Sequence, residues 1–187
     1  MTHTMMPRVL LLYSTVDGHT RSICERVAET LEAEGVETTI RELTPAASPD
    51  LSACDGVVIG ASVRYGKHRP EVASFVDRHR HTLESMPSAF FSVNAVARKD
   101  GKRTPESNPY VRKFLGSIDW KPAHIGIFAG RIDYPRYRFV DRHLIRLIMW
   151  ITGGPTDLAG SYEFTDWAAV ETFGRGIASL VEPTNGR

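Results

Sequence analysis

A chain of 187 residues suits one domain with a substantial core, since single domains usually run to about 100–200 residues. Apolar residues at 42% and charged residues at 24% give a soluble globular composition, and a formal net charge of +1 offers no overall attraction to nucleic acid. The two cysteines, Cys24 and Cys54, form neither a CxxC pair nor a Cys/His cluster at metal spacing, which argues against a metal site and a disulfide framework.

The opening "MTHTMMPRV" lacks the charged head and apolar core of a secretory leader, and no apolar run nears the roughly 18 residues of a membrane span. The expectation is a cytoplasmic protein with reduced thiols. "RVLLLYS" (8–14) is a continuous apolar run, as a strand buried on both faces requires. Ile23, Val27 and Leu31 follow at helical spacing until Gly35 supplies a stop, with Cys24 on the apolar side. "VETTIREL" (36–43) alternates like a strand near a sheet edge, and the proline-rich "TPAASPDLSAC" gives a loop or short helix. "DGVVIGASV" (55–63) is a second buried strand, with Cys54 directly before it as a small buried hydrophobe. A helix follows from about Pro70 through Phe75, Val76, His79 and Leu83.

"SAFFSVNAVA" (88–97) predicts the next strand, "NPYVRKFLGSI" (108–118) a short helix, and "HIGIFAGRI" (124–132) the last strong strand. A helix from about Trp167 to Val181 closes the chain. Short apolar strands alternating with helices indicate an α/β fold with a doubly wound parallel sheet, and five strands favour the flavodoxin-like order 2-1-3-4-5. The expectation is one domain over 8–182, with an insertion at about 134–163 that such units rarely need.

On a helical wheel of that insertion, Val140, Leu144, Leu147, Ile148 and Ile151 share one face. Ile145 and Met149 fall outside it, Trp150 lies near an edge, and Arg142 and Arg146 take the more polar side. One apolar face can pack on the domain. The leftover apolar residues, with nearby arginines and a tryptophan, suit an anionic membrane surface or a second subunit of a homo-oligomer. The expectation is salt-sensitive, peripheral association with the cytoplasmic face of the inner membrane through residues 136–151, without a span.

In doubly wound sheets, ligands sit at the carboxyl ends of the strands beside the point where strand order reverses. The loop "STVDGHT" caps the first strand there. Gly18 permits close backbone approach, Ser14, Thr15 and Thr20 add hydroxyls, and the helix N-terminus adds N–H groups, which together make a phosphate cradle. The alternative is an ordinary helix cap. The chain has no GxxxxGK[ST], no GxGxxG after this strand and no GxSxG, so nucleotide-triphosphate, dinucleotide and nucleophile-elbow chemistry lose ground. "GASVRYG" (60–66) and "SVNAV" (92–96) place polar residues and glycines after the next two strands. FMN needs this division, with one loop for its phosphate and two for its ring. Tyr65 could stack on the ring or be a surface residue beside a turn.

The stretches "STVDGHT", "GASVRYG", "SMPSAFFSVNAVARKDGKRTP", "AGRIDYPRYRFVDR" and "GGPTD" resemble the flavodoxin-like, quinone-dependent protoporphyrinogen oxidases. The resemblance implies an FMN whose phosphate meets the loop of Ser14, Thr15, Val16, Asp17, Gly18, His19 and Thr20. It implies a ring lying between Ser62, Val63, Arg64, Tyr65 and Gly66 on one side and Ser92, Val93 and Asn94 on the other. It also implies oxidation of protoporphyrinogen IX to protoporphyrin IX in successive two-electron steps, with menaquinone or ubiquinone as acceptor. The long connection then corresponds to the insertion of long-chain flavodoxins.

Asp17 departs from the threonine favoured in electron-carrier flavodoxins. A carboxylate beside a phosphate is unfavourable unless it turns away to cap the helix. No aromatic follows Asn94, which leaves one flavin face open for substrate. A porphyrinogen carries two propionates, so cations are sought near the cleft. Arg64, Arg98, Lys99, Lys102 and Arg103 follow strand ends, while Arg131, Arg136 and Arg138 lie on or near the insertion. Each is otherwise a solvated surface charge. "DRHRH", with His79 and His81, reads as a solvated helix face, and neither these nor His68 receives a catalytic role. Two other functions fit the fold, a flavodoxin-type electron carrier and an NAD(P)H:quinone reductase. Near-neutral charge argues against the carrier.

Overall fold

The computed structural model describes residues 6–46 and 49–182. Strand β1 (Arg8–Ser14) leads into helix α1 (His19–Ala33) and strand β2 (Glu37–Glu42). Strand β3 (Gly56–Arg64) turns into the two-residue β4 (Lys67–His68), followed by α2 (Pro70–Ser85), β5 (Ser88–Val93), α3 (Pro109–Leu115) and β6 (His124–Phe128). The chain then forms β7 (Arg131–Asp133), α4 (Phe139–Ile151), β8 (Ser161–Glu163) and α5 (Trp167–Val181).

The main sheet runs β2-β1-β3-β5-β6, all parallel, with β4 added antiparallel to the end of β3. This is the anticipated flavodoxin-like order, with the reversal point between β1 and β3. Alternate residues of each strand enter opposite cores. Leu11, Val58 and Phe91 pack with Ile23, Val27 and Leu31 of α1 and Phe173 and Ile177 of α5. Leu10, Leu12, Ile59 and Phe90 pack on the other side with Phe75 and Val76 of α2 and with Trp120. Cys24 lies in the first core, whereas Cys54 is only partly buried against the second, and both thiols are free.

Two strands are shorter than their apolar runs. Residues 88–97 leave the sheet after Val93, because the Asn94 side chain accepts the Ala97 N–H at 3.1 Å and starts a 3-10 turn over Ala95–Arg98. Residues 124–132 break after Phe128, and β7 pairs instead with β8 in an antiparallel ribbon, Ile132 opposite Tyr162.

The insertion helix lies the other way up from its wheel. Val140, 74% exposed, and Leu144, 38% exposed, face outward with Leu147, Ile148 and Ile151. Met149 is 1% exposed and packs with Ile145 on Ile132, Tyr134 and Tyr137. Polar anchors decide this. Arg98 Nη2 donates to the Thr152 carbonyl at 3.1 Å and to its hydroxyl at 2.6 Å, and Arg142 Nη2 donates to the carbonyls of Pro135 and Tyr137. Among the described residues no helix is long and apolar enough to cross a membrane.

Candidate functional site

The first loop is fixed from below. Ser14, fully buried at the end of β1, donates to Glu71 Oε1 at 3.0 Å, and Arg69 Nε meets the same oxygen at 2.8 Å. Arg69 also donates to the Thr15 carbonyl at 3.1 Å. Thr15 Oγ1 accepts the Gly18 N–H at 3.0 Å, and Gly18 turns the chain into α1 with φ +83°, a conformation that costs a side-chain-bearing residue energy. The N–H groups of His19, Thr20 and Arg21 open the helix, where α-geometry gives them no acceptor. Beside them the Thr20 hydroxyl is buried with no hydrogen-bond partner among the described residues. Such an orphan costs about 1–3 kcal/mol, which an anionic oxygen at the helix end would offset.

The second loop is a tight hairpin. Arg64 pairs with Lys67 across Tyr65 and Gly66, whose φ values of +50° and +75° make a two-residue turn of the type that suits twisted strands. Tyrosine is an unusual occupant there, and its hydroxyl donates to Asp141 Oδ1 on α4. In the third loop, Asn94 Nδ2 donates to Ser92 Oγ at 3.1 Å and Asn108 Nδ2 donates to Asn94 Oδ1 at 3.0 Å. His68 Nε2 meets Ser92 Oγ at 2.8 Å. Burial lowers the His68 pKa to about 4, so the ring is neutral at physiological pH.

Between these loops lies a cleft of about 80 Å³, bordered by Thr15, Val16, Asp17, His19, Thr20 and Ser62, then Val63, Arg64, Val93 and Asn94. Gly18 opens onto an adjoining groove of about 450 Å³ with Asp17, Arg136 and Tyr137. The hydroxyls of Ser14 and Ser92 are turned into the domain, where they brace the loops. Tyr65 and Gly66 sit on the hairpin tip outside the cleft wall. A further wall comes from Arg131, sought from the sequence as a cation near the cleft, and from Gly130 and Ile132, which were hidden there because 124–132 reads as one strand.

Asp17 turns away from the helix end, as its charge demands, but it does not cap α1, because Thr15 already holds the Gly18 N–H. Its carboxylate pairs with Arg64 Nη1 at 3.1 Å. Arg64 Nη2 meets Asp141 Oδ2 at 2.6 Å, so one guanidinium ties the first loop to the insertion. The Tyr65 hydroxyl, then Arg64, hold the Asp141 carboxyl below its usual range. Asp141 was not singled out from the sequence, since an acidic residue on a helix carries no signal of its partner.

The remaining cations divide. Arg98 holds the end of α4, and Arg103 bonds the Ala97 carbonyl and lies 3.4 Å from Asp166, so neither is a free surface charge. Arg131 pairs with Asp133 at 2.9 Å at the cleft edge. Arg136 borders the groove, while Lys99, Lys102 and Arg138 are exposed.

The donor set at the start of α1 fits an anionic oxygen such as a flavin's phosphate group carries. Its strongest signs are an orphan hydroxyl at a helix N-terminus and a cleft framed by the loops after β1, β3, β5 and β6. The flavodoxin-domain family model matches residues 10–159. The chain is 45% identical to protoporphyrinogen IX dehydrogenase (quinone) of Escherichia coli strain K12, covering 94% of this chain and 97% of that protein. The protein of that name from Leishmania major is also 45% identical, over 93% of this chain and 76% of its own length. A short-chain flavodoxin associated with a bacterial microcompartment shares the fold at a TM-score of 0.56 and 14% identity, covering 95% of this chain and 100% of that one. The chain belongs to the flavodoxin-domain family and, within it, to the quinone-dependent protoporphyrinogen IX dehydrogenases.

Proposed function

We propose that the protein binds FMN at the loops around Thr20 and oxidises protoporphyrinogen IX to protoporphyrin IX, with menaquinone or ubiquinone as electron acceptor. The observation that carries the reading is the orphan Thr20 hydroxyl beside a cleft whose far side is an insertion rich in arginine and aromatic residues. The flavin supplies two-electron redox chemistry. The chain supplies placement. Thr20 and the first N–H groups of α1 would hold the phosphate, and the buried Ser92–Asn94–Asn108 network would hold the third loop in place for the ring. Arg64, Arg131 and Arg136 stand at the cleft and groove as partners for propionates, and Tyr137 gives the groove a flat apolar wall. No side chain is assigned as general acid or base.

The exposed face of α4 supports peripheral membrane docking in this reading. Phe139, Val140, Leu147, Ile148, Trp150 and Ile151 project outward, and Arg138 and Arg146 form no ion pair among the described residues. Anionic lipid complements those cations, whereas a second copy would bring like charges together. Residues 8–182 would act as one unit.

The deciding assay combines purified protein, FMN and a soluble quinone under low oxygen and follows porphyrin fluorescence from protoporphyrinogen IX. Rapid, quinone-dependent fluorescence gain is expected. If NADH or NADPH bleaches the flavin far faster than protoporphyrinogen does, the protein is a nicotinamide-dependent quinone reductase instead.

A further inference from the structure

Arg64 holds two carboxylates at once, and the two contacts differ in kind. Toward the insertion, Nη2 and Asp141 Oδ2 are 2.6 Å apart, with both side chains only 18% exposed. The other Asp141 oxygen accepts the Tyr65 hydroxyl. The guanidinium carbon lies 5.4 Å from the centre of the Tyr65 ring and 5.7 Å from that of Tyr137. Arginine offers a rigid planar fork, so fixing one end aims the other. Toward the cleft, Nη1 lies 3.1 and 3.3 Å from the oxygens of Asp17, which sits 44% exposed on a loop tip. A pair of that exposure is worth about 0–1 kcal/mol. The inner contact is therefore the permanent one, and the outer contact is exchangeable.

We infer that Asp17 is an internal stand-in for a carboxylate of the bound ligand, occupying Arg64 until a propionate displaces it, and that Asp141 is the positioning residue that aims the guanidinium at the cleft. The inference rests on the porphyrin reading above and names the contact that recognises the ligand's acid group. Displacement costs little, because the released Asp17 carboxylate already reaches solvent. Its negative charge then faces bulk water while the propionate holds the arginine.

The test is equilibrium titration of the FMN-loaded protein with protoporphyrin IX and with its dimethyl ester, which has the same ring without the acid groups. Asp17→Asn should tighten the diacid about two- to fivefold, the equivalent of the pair it removes, and leave the ester unchanged. Arg64→Gln should weaken the diacid by about tenfold or more, as loss of a charged hydrogen bond does, with little effect on the ester. Asp141→Asn should lower the diacid-to-ester preference, whereas a merely structural role would shift both ligands together. Unchanged or weaker diacid binding in Asp17→Asn, with FMN content retained, overturns the stand-in role. Wild-type holoprotein that binds neither porphyrin overturns the porphyrin reading itself, and the stand-in with it.

Discussion

Thr165 donates its hydroxyl to the Ala129 carbonyl at 2.8 Å while the ring nitrogen Nε2 of His19 lies 2.7 Å from the Thr165 Oγ1 itself. The donated proton leaves Thr165 to accept, so His19 carries its hydrogen on Nε2. The segment leaving the insertion is thereby tied to the first residue of α1, beside the proposed phosphate position. Glu163 stands 3.4 Å from the same nitrogen, yet burial outweighs it and lowers the His19 pKa. His68, deeper and lacking a carboxylate, is lowered further, to about 4.

Acid stability follows from these two rings. Both bind protons less readily folded than unfolded, so the unfolded chain takes up more protons as pH falls below 6.5. Stability from keeping them neutral is complete above that value and declines toward pH 4 for His68. Denaturant melts at stepped pH should show His68→Gln with a flatter loss of stability between pH 6.5 and 4 than wild type. Parallel curves for the two proteins would remove His68 from the account.

Thr20→Val separates cofactor binding from folding. The isosteric change deletes the orphan hydroxyl, so the apoprotein should be as stable as wild type or firmer by about 1 kcal/mol. FMN affinity should fall about tenfold, read by quenching of FMN fluorescence. A destabilised apoprotein would mean that the hydroxyl is satisfied within the protein.

The orientation of α4 predicts a division of effects along one helix. Met149→Ala should cost about 2–4 kcal/mol in a thermal or denaturant melt, because the side chain is buried against Ile132, Tyr134 and Tyr137. A paired Ile148→Ala and Trp150→Ala change should leave stability within about 0.5 kcal/mol and reduce flotation with anionic liposomes at low salt. Loss of stability without loss of flotation in that pair would return this face to the core.

Arg98→Ala should loosen the end of α4 without touching the sheet. Hydrogen exchange should quicken over residues 148–154, where Arg98 holds Thr152, while amides of β3 and β5 stay protected. Uniform quickening would assign Arg98 a wider role.

The sheet was legible because each buried strand is one continuous apolar run bounded by turn residues, and strand-end loops then marked the cleft. The attitude of α4 was not. Its wheel offered the broader apolar face to the core, but Arg98–Thr152 and Arg64–Asp141 join residues 54 and 77 positions apart. No local pattern reports such pairs. Ser14 and Ser92 were chosen as hydroxyls at strand ends, and only the pleat decides which side of the sheet they serve. The break after Val93 had a local cause in the Asn94 side chain, a signal present in the sequence and outweighed there by the apolar run.

The ribbon of β7 and β8 brings the start and finish of the insertion side by side, Asp133 opposite Ser161. Everything between them is a loop closed at its own base, so no hydrogen-bond ladder of the main sheet runs through it. Closing a longer loop costs only about 0.6 kcal/mol for each doubling of length. A flavodoxin scaffold can therefore gain or shed this appendage with little penalty to its folding. The insertion is thus a unit hinged on the framework at a single two-stranded seam.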